Sequence, residues 1–123
     1  MKAKMVFVLV FVLALVFLGV DYARGVATWT TLNKPGAYDT NLHGKSSNNI
    51  VGIYNSGPNW QGFFYDGTDW SDLNMTVPGM DWTNTQPQGI DGKNVVGFYF
   101  DASYLYHGFL YDGANWTTLD APD

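Results

Sequence analysis

Gln61-Gly62-Phe63-Phe64-Tyr65-Asp66-Gly67-Thr68-Asp69-Trp70 returns as His107-Gly108-Phe109-Leu110-Tyr111-Asp112-Gly113-Ala114-Asn115-Trp116, a shift of 46 from Gly62 to Gly108 with no gap inside the phrase. Each copy reads as a strand, an Asp-Gly turn and a second strand opening on Trp. Asp tolerates the left-handed region and Gly enters it without steric cost, so the pair predicts a tight turn with positive φ at its centre. A period near 46 indicates a repeat architecture.

Working outward, the phrase that closes each copy occurs three times: Trp29-Thr30-Thr31-Leu32-Asn33, Trp70-Ser71-Asp72-Leu73-Asn74 and Trp116-Thr117-Thr118-Leu119-Asp120. β-Branched Thr and the nearby Pro35-Gly36 and Pro78-Gly79 predict short strands ended by turns. The first copy has no repeat body before it. It is expected to edge a neighbouring chain or cap an open sheet.

A second shared phrase lies inside each body. Aligning His43-Gly44-Lys45 with Asp91-Gly92-Lys93 leaves Ser46-Ser47-Asn48 as an insertion, followed by Asn49-Ile50-Val51-Gly52-Ile53-Tyr54 against Asn94-Val95-Val96-Gly97-Phe98-Tyr99. These strands are apolar on both parities, so both faces are expected to be covered. Their central Gly marks a close approach by a backbone or a bulky side chain. Tyr38 to Leu42 and Gln86 to Ile90 add a short strand each.

The fold class expected is therefore all-β: two antiparallel blade-like repeats of three to four strands, at about 37–79 and 80–123, propeller-like on oligomerisation. The alternative is a monomeric β-sandwich. Two repeats are fewer than the roughly 3 that stacked units need to bury a continuous core, which predicts a homo-oligomer.

Residues 1–27 read as a signal peptide. Lys2 and Lys4 precede an apolar run from Met5 to Val20, and a polar stretch ends in small residues at Gly25 and Ala27. At 16 residues the run is short of the ~20 that a spanning helix needs, so removal is favoured over a retained anchor. Residues 28–123 then form a single exported domain, extracellular or held in the periplasm or at the cell surface.

That domain has three lysines and ten aspartates with no Arg or Glu, a net charge of −7, which disfavours nucleic acid and anionic membranes as partners. Cysteine is absent, so stability must come from packing or assembly rather than disulfides.

The stretch from Gly89 to Tyr99, followed by His107 to Gly113 and Trp116 to Pro122, resembles the HAF-type repeats of bacterial extracellular proteins. The likeness covers nearly all of residues 28–123. The first copy departs from it at Gln61 and Phe64 and at the insertion. The resemblance implies an exported, β-rich, blade-like repeat protein and brings no catalytic residues. A looser similarity, in the two repeats and the aromatic-Asp-Gly-x-x-Trp turns at Tyr65 to Trp70 and Tyr111 to Trp116, is to two-blade fucose-binding lectins whose chains assemble into propellers. Those lectins grip sugar through Arg and Glu, which residues 28–123 lack, so only the assembly idea carries over.

No catalytic residues are expected. Cysteine chemistry is excluded, and neither His43 nor His107 stands in a nucleophile-elbow context with a serine. Paired aspartates suited to glycoside hydrolysis arise readily among turn residues. Asp66 with Asp69 and Asp112 with Asn115 put oxygens around each turn but form no calcium loop, and two distant histidines make no zinc site. No cofactor or metal is expected.

Aromatic residues are too many for so small a core. Phe63, Phe109, Trp70 and Trp116 are expected to pack. Trp60, Trp82, Asp101, Tyr104 and Tyr106 are the expected ligand-binding residues, since rings stack on sugar faces while Asp and Asn take hydroxyls. The reading is a secreted, non-catalytic carbohydrate-binding module acting as an oligomer on a neutral glycan or polysaccharide. The alternative is a structural surface or matrix protein without a small ligand.

Overall fold

The structure, a computed structural model, describes residues 25–80 and 84–122. The expected leader, apart from residues 25–27, and Trp82 lie outside the described residues. The chain divides into a leading unit through Thr30 and a body from Thr31. In the leading unit residues 25–30 carry no secondary structure. No helix among the described residues is long and apolar enough to cross a membrane.

The body is all-β, built from eight strands: β1 (Asp39–Ser46), β2 (Asn49–Asn55), β3 (Trp60–Tyr65), β4 (Trp70–Asp72), β5 (Thr85–Asp91), β6 (Asn94–Phe100), β7 (Tyr106–Tyr111) and β8 (Trp116–Leu119). They form two four-stranded antiparallel meanders, β1-β2-β3-β4 and β5-β6-β7-β8, neither closed into a barrel. Short hairpin links make this order natural, because antiparallel neighbours need only a few connecting residues.

The register corrects two expectations. Ser46 pairs with Asn49 and Asp91 with Asn94, so each first hairpin has a two-residue turn and there is no three-residue insertion. Gly44 therefore corresponds to Gly89, and His43 to Gln88 rather than Asp91. Both strands bulge at the same place, between Leu42 and Gly44 and between Pro87 and Gly89. Trp29 to Leu32, expected as a third closing strand, carries no strand, and Trp29 is almost fully exposed. A Trp-Thr-Thr-Leu phrase becomes a strand only beside a partner, and Trp70 and Trp116 find one at Tyr65 and Tyr111.

The Asp-Gly turns are four-residue loops, because Tyr65 pairs with Trp70 and Tyr111 with Trp116. Gly67 and Gly113 take the expected positive φ, 100° and 99°, while the preceding Asp does not. Instead Asp66 Oδ1 accepts from the Thr68 and Asp69 amides at 2.8 and 2.7 Å. Asp112 does the same for Ala114 and Asn115. These bonds hold both carboxyls below the usual range, through Asp69 and Asn115 most strongly. The tight turns with positive φ at their first central residue are Ser47-Asn48 (55°) and Gly92-Lys93 (61°), the type II′ pattern that matches strand twist.

Side chains alternate across each strand. On one face of each sheet the central Gly makes room for a ring. A Cβ at Gly52 would lie 3.0 Å from Phe63 Cε1, and one at Gly97 2.9 Å from Phe109 Cε1. Trp70 and Trp116 cover these rings at 5.0 Å centroid separation, with Tyr65 and Tyr111 beyond them. All four residues expected to pack do so.

The main core lies between the sheets. Val51 and Leu73 from the first meet Val95, Tyr99 and Phe109 from the second, with Phe64, Met75, Val77 and Ile90 packed around them. Burying each such aliphatic side chain stabilises by roughly 1.5–3 kcal/mol. Equivalent faces do not meet. The ring-bearing face of the second sheet lies on the opposite face of the first, with β5 as the contacting strand. A Cβ at Gly62 would lie 3.0 Å from Pro87 Cδ and from the Thr85 carbonyl oxygen.

Candidate functional site

Of the expected ligand-binding residues, the structure brings together Asp101 and Tyr104, in the connection between β6 and β7, and Tyr106, which opens β7. Trp60 opens β3 at the position equivalent to Tyr106, since Trp60 pairs with Asn55 as Tyr106 pairs with Phe100. It is half-buried.

Asp101 organises its loop. Its Oδ1 accepts from the Ser103 and Leu105 amides at 2.8 and 2.9 Å, its amide donates to the Leu105 carbonyl, and its own carbonyl accepts from the Tyr104 amide. Its Oδ2 meets His107 Nε2 at 3.1 Å. The Leu105 amide first, then His107, holds this carboxyl below the usual range. With both oxygens engaged, Asp101 positions the loop.

The loop holds Tyr104 and Tyr106 outward, 70% and 68% exposed. Tyr104 sits at φ 62°, a conformation that costs a non-glycine residue energy and tends to persist where surroundings enforce it. Tyr106 is backed by Phe100 and Phe98, at 4.2 and 5.4 Å between centroids. One ring face is thus fixed from behind.

Sequence patterning gives no sign of what surrounds His107. Its Nδ1 meets Asp120 Oδ2 at 2.8 Å and its Nε2 meets Asp101, so two carboxylates bracket the imidazole. Its pKa is raised, by Asp120 first and Asp101 second. Tyr99 stacks on the ring at 5.2 Å. In the first sheet Gln61 takes this place, accepting from the Tyr54 hydroxyl and the Asn74 amide. The Tyr54 hydroxyl also meets Asp72, and burial together with that carboxylate pushes its pKa up to about 12. Among the described residues no serine hydroxyl bonds to either histidine; His43 Nδ1 meets the Pro87 carbonyl at 2.6 Å. Nor is any group of three or more His, Cys, Asp or Glu among them placed to hold a metal.

A concavity of about 230 Å3 opens between the sheets at the opposite, hairpin-turn end of the strands. Phe64, Ser71, Asp72 and Leu73 line it from the first sheet, and Lys93, Tyr111 and Gly113 from the second. None of the described residues expected to bind ligand lines it. It arises from the stacking of two repeats and has no signature inside either one.

No protein-family model, curated protein or solved structure matches the chain.

Proposed function

We propose that this protein is an exported, non-catalytic carbohydrate-binding module that acts as an oligomer on a neutral polysaccharide. The observation that carries this reading is the pair of tyrosine rings, Tyr104 and Tyr106, held outward by the Asp101 loop. A ring fixed in advance loses little freedom when a sugar face stacks on it. Asp101 and His107 keep the loop in shape, and the excess of aspartate over lysine favours a neutral ligand over an anionic one. The likeness to HAF-type extracellular repeats agrees with export and with a role outside the cell.

Affinity electrophoresis through gels containing neutral polysaccharides tests the reading. The chain is expected to be retarded by at least one of them. Tyr104→Ala and Tyr106→Ala are each expected to weaken retention about tenfold, the equivalent of roughly 1.4 kcal/mol. Unretarded migration on a broad panel, or retention indifferent to both substitutions, refutes it. One observation favours a structural role in its place: Leu42 on the first sheet and Val96 and Leu119 on the second are left exposed, as on a stacking scaffold.

A further inference from the structure

The two repeats are equivalent in sequence and register but not in burial, and the inequality has a pattern. On the first sheet, Val51 is 0% exposed and Leu73 4%, because the second sheet covers them. Their equivalents on the second sheet, Val96 and Leu119, are 47% and 52% exposed. The converse holds on the other side. Pro87 of β5 is fully buried against the first sheet, whereas its equivalent on β1, Leu42, is 51% exposed.

One chain therefore contains one complete sheet-to-sheet interface and exposed positions of a second, Leu42 on one side and Val96 and Leu119 on the other, while Phe63 and Tyr54 beside Leu42 are already buried, Tyr54 beneath Lys34. We propose that a second copy of this chain docks head to tail, laying its β1 face on the β6 to β8 face of the first copy as β5 lies on the first sheet within each chain. The proposal deepens the oligomeric reading above by naming the interface.

Polar groups agree with the apolar ones. Within the chain, Ser46 Oγ accepts from the Gly92 amide at 2.9 Å and the Asn49 side chain donates to the Gly92 carbonyl at 2.7 Å. The equivalents are Asp91 and Asn94 on one copy and Ser47 on the next, all exposed. Ser47 adopts the positive φ of Gly92, so its amide and carbonyl are set the same way. An aspartate and an asparagine there supply the same acceptor and donor.

A further equivalence shows what must yield. The Met75 amide donates to Thr85 Oγ1 at 2.8 Å, and the Lys34 amide donates to Thr40 Oγ1 at 3.0 Å. The segment through Lys34 thus holds, on β1, the slot that the chain after β4 holds on β5. In the docked pair Ala121 of the first copy takes that slot on the arriving copy's β1, exchanging one amide donor for another.

Because the two faces differ, the contact is heterologous, and it ends in a ring if the rotation closes. Two substitutions, Leu42→Asp and Val96→Asp, each spoil one face and leave the other intact. The full chain is expressed with its own leader, purified as the cell processes it, and weighed by native mass spectrometry. The unaltered chain is expected as an oligomer and each variant alone as a single chain. An equal mixture of the variants is expected to give a complex of one copy of each and nothing larger. Should Val96→Asp not fold, Leu119→Asp spoils the same face and takes its place. The proposal is overturned if the unaltered chain is monomeric, if either variant alone assembles as the unaltered chain does, or if two variants folded by circular dichroism stay apart when mixed. Polysaccharide retention is measured separately. A chain that assembles but is not retarded loses the carbohydrate reading and keeps this interface, and the reverse result does the opposite.

Discussion

At the scale of single residues, two kinds of position stand out. Gly67 and Gly113 sit at φ near 100°, and a Cβ there would lie 3.0 Å from Asn48 Cβ and 3.3 Å from Lys93 Cβ respectively. Gly67→Val and Gly113→Val are each expected to cost on the order of 1–3 kcal/mol. Gly57→Val, where a Cβ meets nothing within 4 Å, serves as the neutral control in the same thermal melts. His107 is the other. Its folded pKa lies above the unfolded 6.5, so its contribution is fully present below 6.5 and is lost as pH rises through the folded value. The melting temperature should therefore fall on the alkaline side of 6.5, and in His107→Gln, which copies Gln61 of the first repeat, that dependence should vanish. Asp66, Asp101 and Asp112 have the opposite sign. Their contribution is present above the unfolded 3.8 and is lost as pH falls through their lowered values, so acid should destabilise the His107→Gln variant as it does the native chain.

At the scale of strands and turns, Thr85 ties the two repeats together. It is fully buried, and its hydroxyl accepts from the Met75 amide. Thr85→Val keeps the shape and leaves that amide without an acceptor, which should cost about 1–3 kcal/mol in urea unfolding. Thr40→Val, at the equivalent but more exposed position on β1, should cost less. How much of this was legible in the chain varies by element. β2, β3, β6 and β7 announce themselves through apolar residues on both parities and a central Gly, and the repeated Asp-Gly-x-x-Trp marks the loop before each last strand. The first hairpins misled, because Lys45 and Lys93, each following a Gly, invite an alignment that the register rejects. Backbone pairing is set by turn length and by the bulges at Leu42 and Pro87, and neither leaves a strong mark on composition. The loop at Asp101 was legible only as an aromatic cluster. Its clamp depends on amides, which every residue carries, and on Asp120, brought beside His107 by the pairing of β7 with β8.

At the scale of the molecule, stacking unlike faces decides what one chain can complete. A pair of like faces would close on itself. Here the ring-bearing face of the second sheet is covered by the first sheet, whereas on that of the first Lys34 lies over Tyr54, Phe63 is buried and Leu42 stays exposed, as do Val96 and Leu119 on the outer face of the second. Exposed apolar area of this kind marks interaction surfaces, and a chain that repeats its own interface offers a second copy the contact it already makes internally. The most direct measurement is sedimentation equilibrium of the purified chain across low micromolar concentrations. A discrete mass that is a multiple of the single chain is the result expected; a monomer at every concentration, melting cooperatively, would contradict it.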